Sequence, residues 1–358
     1  MTTTSTLSRP SRAERNSQWL LRINRISTYL NMLGLSFVVS ILRVIAGEDP
    51  RQQFLEFWRV FVVPLTGILA FLFLWSALAP KVNTSLGAIP GPAMVWEQTV
   101  NLWNDHVSER QKEVAFLERQ EERNAQLAEQ GHEDRVKQRE YTGKPTYIDQ
   151  IFTSLKTVAL GFFVATLIAV PLGIMCGLSP LINGALNPLI QIFKPVSPLA
   201  WLPIVTMVVS ALYMNVSDSF PKSLVISALT VTLCSLWPTL INTTLGVASI
   251  DRDLVNVGRV LQLSQITTIR KVVLPSALPL IFTGLRLSLG VGWMVLIAAE
   301  MLAQNPGLGK FVWDEFQNGS SSSLARIIVA VLTIGLIGFL LDRVMFMLQT
   351  LFTYSTQR

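Results

Sequence analysis

Charge is scarce in this sequence. Asp, Glu, Lys and Arg together make up 15% of its 358 residues, where a soluble domain carries about a quarter. The shortage is concentrated in long stretches without any charge. Uncharged apolar runs of about 18 residues or more read as membrane helices, so a soluble multi-domain reading is excluded. Cysteine is nearly absent. Cys176 and Cys234 each sit inside an apolar run and read as small buried hydrophobes. No spacing points to a metal site or a disulfide framework. The two histidines, His106 and His132, lie in a polar stretch and read as solvated. With no Ser/His/Asp arrangement and no metal cluster, no catalytic site is expected. No short basic–apolar–small pattern opens the chain, so a cleaved signal peptide is not expected.

What is present is apolar: half of the residues are hydrophobic, and the formal net charge is +6. The positive residues form no stripe with interleaved aromatics, which a nucleic-acid surface would want. They cluster at the ends of apolar runs, where Lys and Arg orient helices in a bilayer.

The first segment carries Arg9, Arg12, Arg15, Arg22 and Arg25 against Glu14, which places the N-terminus in the cytosol. Tyr29 to Ala46 is moderately apolar but holds Arg43 near its end. It reads as an amphipathic helix lying on the membrane surface in preference to a span. The organisation expected is a cytosolic tail over 1–56, a first span over 57–80, an external polar helical insertion over 81–150, a core over 151–350 and a cytosolic tail over 351–358. The first span, Val60 to Ala79, tolerates Pro64. The insertion is rich in Glu, Gln, Arg and Ala over Trp96 to Tyr141 and has helical propensity. Within the core, Ile151 to Leu178 reads as one span, followed by a turn through Pro180, Asn183, Gly184, Asn187 and Pro188. Further spans are Pro195 to Ser217, Ser223 to Val247, Ala277 to Ala303 and Ile327 to Met347. The fold class is therefore an all-α membrane protein with about six transmembrane helices and both termini inside. This count puts Gly246 to Val273 in the cytosol, with Arg252, Arg259, Arg270 and Lys271, and puts the outer loops where positive residues are few.

The cytosolic stretch Asp251 to Ser264 reads as an amphipathic helix. Leu254, Val257, Gly258 and Leu261 fall at i, i+3, i+4 and i+7, while Asp251 and Asp253 sit in the first turn, where the helix dipole favours negative charge. Periodicity by itself fits a plain interfacial loop helix. Its distance to Leu274-Pro275 adds more. The permease subunits of ATP-binding-cassette importers share a signature of Glu-Ala-Ala, three residues, Gly, nine residues, an aliphatic residue, one residue and Leu-Pro. This chain resembles them in spacing: Asn256-Val257-Gly258, then Gln262, Val272 and Leu274-Pro275. It departs in having Asn for Glu and Gln for Gly. Pro195 to Ile204 and Leu274 to Arg286 resemble the nitrate/sulfonate/taurine branch, and Ser85 to Pro92 and Ala299 to Asp314 are most similar to its nitrate/nitrite permeases.

The resemblance implies a type I (MetI-like) permease core in a bacterial inner membrane. It implies a homodimer, two separate ATP-binding-cassette subunits that carry ATP and Mg, and an external binding protein that delivers the solute. The ATPase-contacting residues would be Asp253, Asn256, Val257, Gly258, Arg259, Leu261 and Gln262. No cofactor is expected on this chain itself. A phosphate loop needs Gly, four residues and Gly-Lys-Ser/Thr; at Gly309-Lys310 the next residue is Phe311, and position 304 is Gln. The expected activity is ATP-driven import of a small anion, nitrate or nitrite first, with sulfonate, taurine, cyanate or bicarbonate as alternatives within the class. An ion-coupled secondary transporter would want inverted repeats and charged midplane residues, and neither is visible; a membrane anchor without a pathway is the remaining rival. Hydrogen-bond donors in the spans suit an anion pathway: Trp201, Ser210, Trp237, Thr239, Ser288 and Trp293. Glu300 joins them as an intramembrane acid, with a gating or ion-pair role, or else as a paired interfacial acid. Arg286 is expected to snorkel to the cytosol. Gly173 and Gly177 read as helix packing.

Overall fold

The computed structural model describes residues 36–46, 49–84, 87–130, 132, 136–212, 221–320 and 322–356, with single positions at 19, 23, 27 and 30. Most of the arginine-rich segment and the outer loop from Asn215 fall outside the described residues, as do the side chains of Arg252, Val257 and Arg259. The chain divides into two compact units, Met1–Leu78 with Arg343–Arg358, and Ala79–Asp342.

In the first unit, α1 (Ser36–Ile45) and α2 (Pro50–Phe57) form a hairpin, and a π-helical turn (Trp58–Val62) leads into α3 (Val63–Leu78). Helix α1 has 10 residues, half of what a span needs. Asp49 caps α2 by accepting from the Arg51 N–H at 3.2 Å. From Pro50 to Lys81 the helix is continuous and apolar enough to cross a membrane.

The second unit opens with a two-residue β-hairpin, Asn83–Thr84 against Gly87–Ala88. Helix α4 (Pro92–Glu129) follows, with Pro92 in its first turn. It is the helical insertion expected from the sequence, and it leaves Trp96, Val100, Trp103 and Val107 exposed. The returning segment docks on it. Tyr141 donates to Glu109 at 2.8 Å, and that hydrogen bond holds the Glu109 carboxyl below its ordinary range.

Helix α5 (Tyr147–Leu178) is closed at its start by a capping box between Thr146 and Asp149. Next come α6 (Pro180–Phe193) and α7 (Pro198–Leu212), set at 102° to each other. The sequence reading put a turn where α6 lies. Pro180 falls in the first turn of α6, where its missing N–H costs nothing, and the Ser179 hydroxyl accepts from the Ile182 N–H at 3.4 Å, so these residues start a helix instead. Helices α8 (Lys222–Ala248), α9 (Arg252–Val260) and α10 (Gln265–Thr268) follow. A second π turn (Ile269–Val273) joins α10 to α11 (Leu274–Ala303), and α12 (Leu308–Asn318) and α13 (Ser323–Thr356) end the chain. Among the described residues five helices are long and apolar enough to cross a membrane, and the bent α6–α7 pair makes a sixth if it forms one broken span. The fold is the all-helical membrane class expected.

Both π turns end two residues before a proline, Pro64 and Pro275. A proline ring clashes with the carbonyl four residues back, and a widened turn gives that carbonyl another place to point.

Helices α5, α8 and α11 form the centre of this unit, and α8 and α11 are its most buried spans. Their contacts are close because glycines lie at them. A Cβ on Gly173 would stand 2.6 Å from Thr243 Cβ, and one on Gly177 2.5 Å from Val247 Cβ, both on α8. This is the packing role expected of the pair. Gly284 on α11 meets the Pro238 carbonyl in the same way, at 3.0 Å.

Gly173→Ala should therefore destabilise the chain by about 1–3 kcal/mol, read as a lower unfolding temperature in detergent. Gly290→Ala, whose Cβ would meet nothing within 4 Å, should be neutral or stabilising.

Candidate functional site

The loop between α8 and α11 carries the segment singled out in the sequence. Helix α9 is shorter than Asp251 to Ser264. Asp251 caps it, accepting from the Asp253 N–H at 2.9 Å, and it stops at Val260. Gln262 then adopts φ +51, and the Leu263 N–H closes the end on the Gly258 carbonyl at 3.0 Å. This is the left-handed exit that favours glycine, and Gln262 stands at the signature's Gly position. The family's glycine thus has a backbone reason, and here a glutamine meets the same geometry with some strain. The Asn256 side chain is exposed. Gly258 faces inward, where an added Cβ would sit 3.6 Å from Thr268 on α10. Leu254, Val260, Leu261 and Ile266 are each exposed, so no other part of the described chain covers them.

The membrane candidates do not gather into one cavity. Thr239 and Ser288 form a staple. The Ser288 hydroxyl donates to the Ser235 carbonyl and accepts from the Thr239 N–H at 3.1 Å. In an unbroken helix those two backbone groups would bond each other. The Ser288 oxygen also lies 2.6 Å from the Thr239 hydroxyl. A side chain from α11 is thus inserted into the ladder of α8, next to Pro238. Trp293 donates to the Ile334 carbonyl on α13 at 3.0 Å.

Glu300 is fully buried at the end of α11. Its carboxylate accepts from the Ser154 hydroxyl at 2.9 Å and from the Gly309 N–H at 3.0 Å. Ser154 in turn accepts from the Leu308 N–H at 2.9 Å. Glu300 and Ser154 therefore satisfy the first two N–H groups of α12, where a negative charge also suits the helix dipole. The turn fits around this contact. Gln304 is left-handed, Gly307 has φ +148 and its Cβ would strike the carboxylate, and a Cβ on Gly309 would fall 2.2 Å from the Ile297 carbonyl. Of the two roles open to Glu300, the paired acid is the one the geometry displays.

Trp201 and Trp237 do come together. Both rings contact Phe193 at the end of α6, with centroids at 5.8 Å and 6.3 Å, beside the α6–α7 bend. Both indole N–H groups are buried, and among the described residues neither has a hydrogen-bond partner. Ser210 is exposed further along α7.

Two pairings were missed. Arg286 does not snorkel alone: it binds Asp342 on α13 with two hydrogen bonds of 3.0 Å. Asp342, followed by Arg343, is an acid inside a long apolar helix, and that was a visible signal. Ser154 gave none, since one serine in an apolar helix looks like any other. Among the described residues no group of His, Cys, Asp and Glu is placed to hold a metal.

A family model described as a binding-protein-dependent transport system inner membrane component matches residues 169–353. The nitrate import permease protein NrtB of Synechocystis sp. is 37% identical, over 58% of this chain and 71% of its own length. The bicarbonate transport system permease protein CmpB of Synechocystis sp. is 35% identical, over 86% of this chain and 94% of its own. A crystal structure of the inward-facing MetNI methionine ABC transporter is loosely similar in fold, with a TM-score of 0.48 and 14% identity over 59% of this chain and 96% of that one.

Ser154→Ala should cost about 1–3 kcal/mol, since it leaves the Leu308 N–H buried without a partner, and Glu300→Ala should cost at least as much; unfolding in detergent checks both. Gln262→Gly should relieve about 1 kcal/mol at the end of α9, seen as slower hydrogen exchange at the Leu263 amide.

Proposed function

Because the chain belongs to the inner-membrane components of binding-protein-dependent transport systems, we propose that it is the permease of an ATP-driven importer for nitrate or nitrite in a bacterial inner membrane. Two copies form the pathway, with both termini of each in the cytosol. Two separate ATP-binding-cassette subunits bind ATP and Mg, and an external binding protein delivers the anion. This chain brings no cofactor and catalyses no reaction.

The observation that carries the reading is the exposure of four apolar side chains on this short segment, Leu254, Val260, Leu261 and Ile266. A short helix held against the base of a long span, with its apolar side chains outward, is built to be gripped by another protein. Asp253, Asn256, Val257, Gly258, Arg259, Leu261 and Gln262 belong to that contact. A push on α9 reaches α11 through α10 and the π turn, and closure of the ATPases would rock the spans between outward- and inward-open states.

The anion passes the α6–α7 bend, where Trp201 and Trp237 offer unpaired N–H donors, and then Ser210, which offers a hydroxyl further along α7. Thr239, Ser288, Trp293 and Glu300 line the pathway by holding its walls. Donors without a fixed charge bind a small anion and still let it leave. A second reading, bicarbonate, is favoured by the length over which CmpB aligns.

Reconstitution with the ATPase subunits and a binding protein tests all of this. ATP-dependent nitrate uptake that stops without the ATPase is expected, and uptake driven by an ion gradient alone would overturn the proposal. Leu261→Glu should leave ATP hydrolysis running while uptake falls. Trp201→Phe and Trp237→Phe should each weaken uptake about tenfold, as for a lost hydrogen bond to a charged group. Uptake of labelled bicarbonate in place of nitrate would select the second reading.

A further inference from the structure

The α1–α2 hairpin forms an open cavity of about 350 Å³. Its walls are mostly apolar: Ile41, Val44, Ile45, Pro50, Phe54 and Phe57. Two lining residues are polar, Ser40 and Gln53. Gln53 is only 5% exposed, and among the described residues its Oε1 has no hydrogen-bond partner. A buried acceptor left unpaired is costly, and glutamine has no packing advantage over leucine in such a place.

We infer that the hairpin is a binding site for a membrane lipid whose headgroup carries an N–H or O–H donor. The acyl chain fills the cavity, and the headgroup donates to Gln53 Oε1. The hairpin leads directly into a span, so the cavity has ready access to lipid. A lipid without a donor would fill the cavity and leave Gln53 unpaired, so the site discriminates by hydrogen bonding and not by charge.

Phosphatidylethanolamine and phosphatidylcholine separate the two contributions, because they share charge and chains and differ in the N–H donors. The full chain is placed in vesicles containing either lipid with a photoactivatable acyl chain, and labelled peptides are mapped. Phosphatidylethanolamine should label the 36–57 stretch about tenfold more than phosphatidylcholine, as for a hydrogen bond with a charged partner. Gln53→Leu should bring the two to one level, while Gln52→Leu, at an exposed neighbour, should keep the preference. In lipid-free micelles Gln53→Leu should unfold no earlier than the unaltered chain, and phosphatidylethanolamine should raise the unfolding temperature of the unaltered chain only. Equal labelling of the unaltered chain by the two lipids, or a preference that survives Gln53→Leu, would overturn the assignment.

Discussion

A backbone N–H or C=O facing hydrocarbon has no water to bond, and several departures from regular helix in the described spans answer to that constraint. The prolines create the need. Pro238 disturbs α8, and Ser288 of α11 supplies both a donor and an acceptor at the damaged rung. Pro275 and Pro64 are each preceded by a π turn. Where α11 ends and α12 turns back, Glu300 and Ser154 take the N–H groups that the new helix leaves open.

Trp201 and Trp237 are the contrast. Their N–H groups share the burial of the others but not their partners, and they sit beside the α6–α7 bend, where two consecutive apolar helices meet at 102°. The exposed apolar side chains from Leu254 to Ile266 are a second kind of incompleteness, apolar instead of polar. An orphaned donor asks for an acceptor, and an uncovered leucine asks for another surface. The two kinds of vacancy divide the proposed work of the chain between solute and ATPase.

Much of the fold was legible because hydropathy and length are local properties. Spans such as Ser223 to Val247 were placed to within a residue or two, and Gly173 and Gly177 were rightly read as packing. The sequence reading failed where the outcome depended on a distant partner. Pro180 and Pro188 looked like a turn because the cap that permits a helix there could not be seen. Arg286 looked solitary because Asp342 lies 56 residues away. The motif departures were partly legible: Gln262 was recognised as out of pattern, but only the backbone angle says that the pattern is a demand for a left-handed residue. Glu300 was picked out as special for being an acid in a span, and its use as a helix cap needed the position of Leu308 and Gly309.

The Ser288 insertion has a mechanical side. Its hydroxyl is held by two backbone groups of α8 while its own backbone belongs to α11, so the two helices share a rung. Sliding one along the other would break both hydrogen bonds at once, inside a medium that offers no replacement. Gly284 seats α11 against α8 one turn away and adds steric interlock to the bonded rung. Under load the two spans behave as one beam of double thickness, and bending is left to the places where such cross-linking stops, at the helix ends.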